Sequence, residues 1–181
     1  MKNNKILNGV LIAVIIILLG ILIYLQFINN KSSNNIDKIY NNYLVNLKNN
    51  IINKYEDYSN NVVEVSNDYL DTVYTFTINK NLNLILTTRD NKYNNYKVSD
   101  NVLNMFLIDV GNGGFKYLYF IKDDGSLNKL CIDCIKEEGN VKVEKEDKKY
   151  IVNVIQGVFD YEVSGAPGPI FIDINGNIIM D

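Results

Sequence analysis

Hydrophobic and polar positions fall along this chain in three successive regimes. From Val10 to Leu25 there is no period at all, because no charged or strongly polar side chain interrupts "VLIAVIIILLGILIYL", and the apolar stretch reaches Ile28. Roughly 20 such residues, rising about 1.5 Å each, cross a hydrocarbon core about 30 Å thick. The apolar core of a cleaved signal peptide is shorter, about 7–15 residues, and ends in a small-residue site that "ILIYLQFINNK" lacks. Residues 6–28 are therefore expected to be an uncleaved transmembrane signal anchor, with the lipid bilayer as first partner. Lys2 and Lys5 precede the span and Lys31 alone follows it closely. That bias keeps residues 1–5 cytoplasmic and places everything after the span outside the cell membrane.

The second regime has the helical period. "NNKSSNN" (29–35) reads as a polar linker. Beyond it, Ile36, Ile39, Tyr40, Tyr43, Leu44, Leu47, Ile51 and Tyr55 recur at three- and four-residue steps. An amphipathic juxtamembrane helix over 36–58 follows, capped by Asn34 or Asn35. Its apolar face fits either the domain that follows or self-association with a second copy, and the domain is the expected target.

From Asn61 the period shortens to two. "VVEVS", "TVYTFTI", "LNLILTT", "VLNMFLI", "FKYLYFIK", "KLCI", "NVKVEK", "YIVNVIQ", "GPIFIDI" and "NIIM" are rich in β-branched and aromatic residues. Asn, Asp and Gly clusters separate them. "YLYFI" and "IFI" are apolar on both alternating faces, so both faces must be covered. The expected fold is mainly β, α+β overall. Its antiparallel β-sheet domain over 61–181 is a sandwich or a stack of blade-like sheets.

Two stretches of this region superpose. "VLNMF" (102–106) lies over "IVNVI" (151–155), and "FIKDDGSL" (120–127) over "FIDINGNI" (171–178), at offsets of 49 and 51 residues. "VYTFTINKNLNL" is a weaker third echo. Candidate repeats 102–127 and 151–178 of this length resemble the four-stranded blade of a β-propeller. Two or three such units are too few to close a ring of at least about four blades. With its anchor, the layout resembles single-pass, membrane-anchored envelope proteins of low-GC Gram-positive-type bacteria that carry propeller-blade-like β-repeats.

Composition removes chemistries. Histidine is absent, and with it every imidazole base and the commonest zinc ligand. The abundance of Asn, Lys, Ile and Tyr reads as AT-rich coding. With Lys2 and Lys5 set aside, 21 acidic side chains face 16 basic ones, so no nucleic-acid partner is expected. No cofactor and no metal site is expected either. "DINGN" and "KDDGS" depart from the calcium-loop pattern and read as tight turns. "GNGGF" lacks the Lys-Ser/Thr of a phosphate loop. Glu137, Glu138, Glu144, Glu146 and Asp147 read as solvated faces.

Cys131 and Cys134 form "CIDC", and "YEVSGAPGPIFIDINGNI" follows at 161–178. These two stretches resemble thioredoxin-like proteins, with their C-x-x-C and their Y-x-V-x-G-x-P loop. The resemblance implies a redox pair of Cys131 as nucleophile and Cys134 as resolving thiol, beside Pro167. In that family a long helix follows the C-x-x-C, where this chain has "IKEEGNVKVEKEDK". Residues alone allow another reading: on a regular strand two residues three apart face opposite ways and cannot bond, whereas a helical turn brings them together. "LNKLCIDCI" also has helical spacing, which would bury both thiols as small hydrophobes. "KILNGVLIAV" is similar to the start of filament pilins, with Val14 where that family carries glutamate.

If the repeats hold, "DVGNGG" (109–114) and "VFDYEVSGAP" (158–167) are equivalent loops on one edge. Surface loops on a rigid sheet carry binding groups. Asp109, Asn112, Asp160, Tyr161 and Glu162 are the resulting candidate contact surface for an envelope protein or glycan. The expected function is a membrane-anchored, extracytoplasmic binding or structural module. The alternatives are a membrane-anchored thiol–disulfide oxidoreductase and a pilin-like filament subunit.

Overall fold

Alternation broken by turn residues yields eleven strands among the described residues of this protein, whose structure is a computed structural model describing residues 2–53, 62–67, 72–90, 92–109, 115–135, 141–157 and 168–180. One helix, α1 (Lys2–Asn53), precedes them. The chain divides into two compact units, Met1–Ile39 and Tyr40–Asp181.

In the first unit, Val14 through Gln26 and Ile28 are exposed on every side of the helix, including Ile16 at 63% and Ile23 at 66%. Among the described residues this is the one helix long and apolar enough to cross a membrane. The "NNKSSNN" stretch expected as a linker is helical, with no break before Asn53. Asn and Ser cost only a few tenths of a kcal/mol each inside a helix. Ending and restarting the helix would leave four orphan groups at each new terminus, so continuation wins.

The second unit begins with the last turns of α1. Tyr40, Leu44 and Ile51 are buried, and Tyr43 and Leu47 pack against the same core. Each fully buried apolar side chain contributes about 1.5–3 kcal/mol. Ile39, expected on this face, is 43% exposed. Tyr55 lies outside the described residues.

Three antiparallel sheets follow, each an up-and-down meander in chain order. The first holds β1 (Val62–Asn67), β2 (Thr72–Ile78), β3 (Leu84–Thr88) and β4 (Tyr96–Ser99). The second holds β5 (Val102–Asp109), β6 (Lys116–Lys122), β7 (Leu127–Cys131) and β8 (Val143–Glu146). The third holds β9 (Ile151–Gln156), β10 (Pro169–Asp173) and β11 (Ile178–Met180). Phe76, Leu84, Leu86, Leu118, Phe120, Ile121, Leu127 and Phe171 are buried completely. They belong to one core shared by all three sheets and the helix.

The turn between second and third strand is built alike in every sheet. The N–H of Asn79, Lys122 and Asp173 donates to the carbonyl four residues on, at Asn83, Ser126 and Asn177, each at 3.0 Å. The N–H three residues on returns a bond, from Leu82 to Asn79, Gly125 to Lys122 and Gly176 to Asp173. The returning residue is left-handed each time, with φ of 60° at Leu82, 79° at Gly125 and 81° at Gly176. Glycine takes that conformation freely and leucine does not.

The second and third sheets share further detail at the offsets of 49 and 51. Asn101 and Tyr150, directly before β5 and β9, are left-handed at φ 55° and 61°. Their carbonyls accept from Asp123 and Ile174, both at 2.8 Å. The ladder then skips Leu103 in β5 and Val152 in β9, one bulge residue each.

The sheets meet through specific contacts. Val102 N–H donates to Leu82 O at 2.8 Å, and Lys116 Nζ donates to Ser66 O at 2.9 Å, both joining first to second sheet. The Tyr119 and Phe171 rings meet edge to face at 5.5 Å between second and third. Lys148 Nζ sits 4.4 Å from the Phe171 centroid.

Candidate functional site

β7 carries its apolar residues inward until Cys131, where the strand ends in a turn. Ile132 and Ile135 flank that turn and are buried, at 0% and 1% exposure. Ile132 N–H donates to Lys116 O at 2.8 Å, and Ile135 N–H to Ile132 O at 3.1 Å. Asp133 Oδ2 accepts the N–H of Lys116 at 2.7 Å. The turn is thus pinned to the start of β6 by two apolar anchors and by hydrogen bonds running both ways.

Within it, Cys131 and Cys134 are joined as a disulfide, Cα to Cα 5.2 Å. Helical spacing in "LNKLCIDCI" left two buried thiols as one of the open readings, and the bonded pair is the alternative found. Leu127, Leu130 and Ile135 are buried as that spacing requires, but the backbone is strand through Cys131 and turn from Ile132. The turn, which brings residues three apart together, allows the bond that a continuing strand would forbid. Cys131 is half-buried and Cys134 is exposed.

The disulfide lines a cleft of about 300 Å³ together with Tyr117, Lys129, Lys142 and Glu144. Sheet register explains the grouping. Tyr117 pairs with Cys131 across β6 and β7, and Lys129 pairs with Glu144 across β7 and β8. Lys129 and Cys131, two apart on β7, point to one face.

The charges here are mutually engaged. Lys129 Nζ lies 2.7 Å from Glu146 and 3.8 Å from Glu144, while Lys142 Nζ lies 2.9 Å from Glu144. The hydrogen bond to Glu146 holds the Lys129 ammonium above its usual range. The bond from Lys142 holds the Glu144 carboxyl below its own. Glu144 and Glu146, read from sequence as simply solvated, are partners of this lysine pair. The signal was the alternation in "LNKLC" and "VKVEKE", which places Lys129, Glu144 and Glu146 on one face once β7 and β8 are paired.

Of the loop residues expected to form a contact surface, Asp109 ends β5, half-buried, opposite Lys116 in the ladder. Asn112, Asp160, Tyr161, Glu162 and Pro167 lie outside the described residues. Among the described residues after the C-x-x-C turn, 141–142 are in no regular element and Val143–Glu146 form β8, where the thioredoxin resemblance implied a long helix. Among the described residues no group of three or more Cys, Asp and Glu is placed to hold a metal. No protein-family model matches the chain, no curated protein matches it, and no solved structure matches it.

Proposed function

We propose that this chain is a single-pass membrane protein whose sheet-rich unit lies outside the cell and acts as a binding or structural module. The observation that carries this reading is the helix segment Val14–Ile28. Its described side chains are apolar but for Gln26 and exposed all round, a surface that water opposes and a bilayer accepts. Lys2 and Lys5 on its N-terminal side favour retention of that end in the cytoplasm. A surface disulfide supports the same orientation, because disulfides persist in oxidising compartments and are rare in the cytosol.

Within the exported unit, the three meanders are read as successive blade-like sheets of an open array. The shared turns, left-handed residues and bulges support that reading. In such a scaffold the connections from first to second strand share one edge, and a protein or glycan of the envelope is the proposed partner class. Protease added to intact cells, with the outer wall removed, tests the topology. Degradation of residues 40–181 with survival of the amino-terminal span is expected. Protection of the whole chain overturns the orientation.

A further inference from the structure

We propose that the Cys131–Cys134 disulfide is a thiol–disulfide exchange site, which takes two electrons from a dithiol entering the cleft beside it. Four observations point there. Cys134 is exposed and Cys131 half-buried, so an attacking thiol can reach the bond from solvent. The cleft of about 300 Å³ opens directly on both sulfur-bearing residues, with room for a thiol-bearing side chain. The bond closes a loop of only two intervening residues, the kind that restricts the unfolded chain least. Most tellingly, the turn does not need it. Ile132 and Ile135 bury themselves on either side of Asp133 and Cys134, and Lys116 holds both the Ile132 N–H and the Asp133 carboxylate. Opening the bond therefore leaves two thiols held near each other, ready to close again. A disulfide that is accessible and structurally redundant belongs with the labile, exchanging kind.

The step balances as follows. A donor thiolate attacks the sulfur of Cys134, the more exposed of the two residues, and the Cys131 sulfur leaves with the bonding pair and takes a proton from water. The donor's second thiolate then attacks its own sulfur in the mixed disulfide and expels Cys134 as a thiolate, which is protonated in turn. The donor loses two electrons and two protons and becomes a disulfide, while the domain gains two thiols. This chemistry requires neither a helix after the C-x-x-C nor Pro167, and it is independent of which side of the membrane the unit occupies.

The test uses the full chain in detergent micelles, titrated with dithiothreitol as a free dithiol and, separately, with a reduced C-x-x-C peptide. Alkylation followed by mass measurement reads the thiols. Reduction of native protein by both donors is expected, with unchanged far-ultraviolet circular dichroism, a Tm shift under about 4 °C, and full re-closure with oxidised glutathione. A faster peptide assigns the donor to a protein, and a faster small dithiol to a free metabolite. Reduction seen only after unfolding, or a reduced form that loses cooperative melting, overturns the proposal. Single variants give the direction of attack. The lone thiol left by Cys131→Ser forms a mixed disulfide with oxidised glutathione roughly tenfold faster than the one left by Cys134→Ser. Equal rates, or the reverse order, overturn the assignment of Cys134 as the attacked sulfur.

Discussion

The seam between the first and second sheets and the seam between the second and third are made from equivalent residues, yet they are bridged differently. At the first seam, the left-handed turn residue Leu82 accepts a bond at 2.8 Å directly from Val102, which opens the next sheet. At the second, the counterparts are Gly125 and Ile151, and the helix enters between them. Tyr40 Oη donates to Ile151 O at 3.0 Å, with Gly125 O a second acceptor 3.4 Å away. The Tyr40 ring also meets Tyr150 edge to face at 5.5 Å, and Tyr43 Oη donates to Val152 O at 3.2 Å. Repetition of the backbone therefore does not require repetition of the environment. Leucine's own bulk fills the first turn, where it is 5% exposed. Glycine's absence of a side chain makes room for a tyrosine in the second.

Removing the inserted ring breaks this comparison most severely. Tyr40→Ala deletes a buried aromatic and leaves carbonyls without their donor, and should cost about 3–5 kcal/mol in denaturant melts of the full chain. Next comes the pair Gly125→Ala and Gly176→Ala. Both residues are left-handed, so both pay conformational strain of about 1–2 kcal/mol. A Cβ at 125 would stand 2.7 Å from Tyr40 Cε1, whereas one at 176 meets nothing within 4 Å. Gly125→Ala should therefore cost about 1–3 kcal/mol more than Gly176→Ala. Equal losses would show that the ring moves freely and that the seam is not packed against it.

Tyr40→Phe sharpens the comparison by keeping the ring and deleting the donor, for an expected loss of about 1 kcal/mol. The smallest effect concerns the turn at the far end. Partial desolvation pushes the Asp173 carboxyl up. Bonds from the Asn177 side chain and from the backbone N–H groups of Asn177, Asn175 and Gly176 outweigh it and hold the group below its usual range. The unfolded chain thus binds more protons than the native one near the ordinary carboxylate range. Stability from this group is present above about pH 4 and is lost as pH falls through its lower native value. Asp173→Ala should flatten that part of an acid-stability profile by less than about 1 kcal/mol, because the group is solvent-screened. Asp124, held down mainly by bonds from Ser126, leaves a similar slope in both proteins.

Strand existence was legible because alternation and turn residues agree over "TVYTFTI" or "GPIFIDI". β4 was not, since "YKVS" is a short outer strand whose first two residues are exposed, and an exposed strand has no apolar alternation to read. The helix through 29–35 was hidden for the opposite reason: its sequence is locally poor for helix, and continuity from both sides overrides it. At the candidate site, two cysteines three apart were visible. Their bonding depended on where β7 stops, and that stop is set by the burial of Ile132 and Ile135 together with the Asp133 carboxylate held on the Lys116 N–H, a partner outside the strand. Lys129 joins Glu144 and Glu146 only through the β7–β8 register, which no single strand reveals. Of the loop candidates, only Asp109 falls among the described residues.

The shared turn also makes these segments unequal as spare parts. Asn79 accepts the N–H groups of Asn81 and Asn83 on its side-chain oxygen, as Asp173 accepts those of Asn175 and Asn177. Residues 79–83 could thus be grafted in place of 173–177 with register intact. Moved instead to 122–126, the same five residues would carry leucine into the space that Tyr40 occupies. Interchange runs toward the third sheet and stops at the second, so the helix sets which copy can diverge.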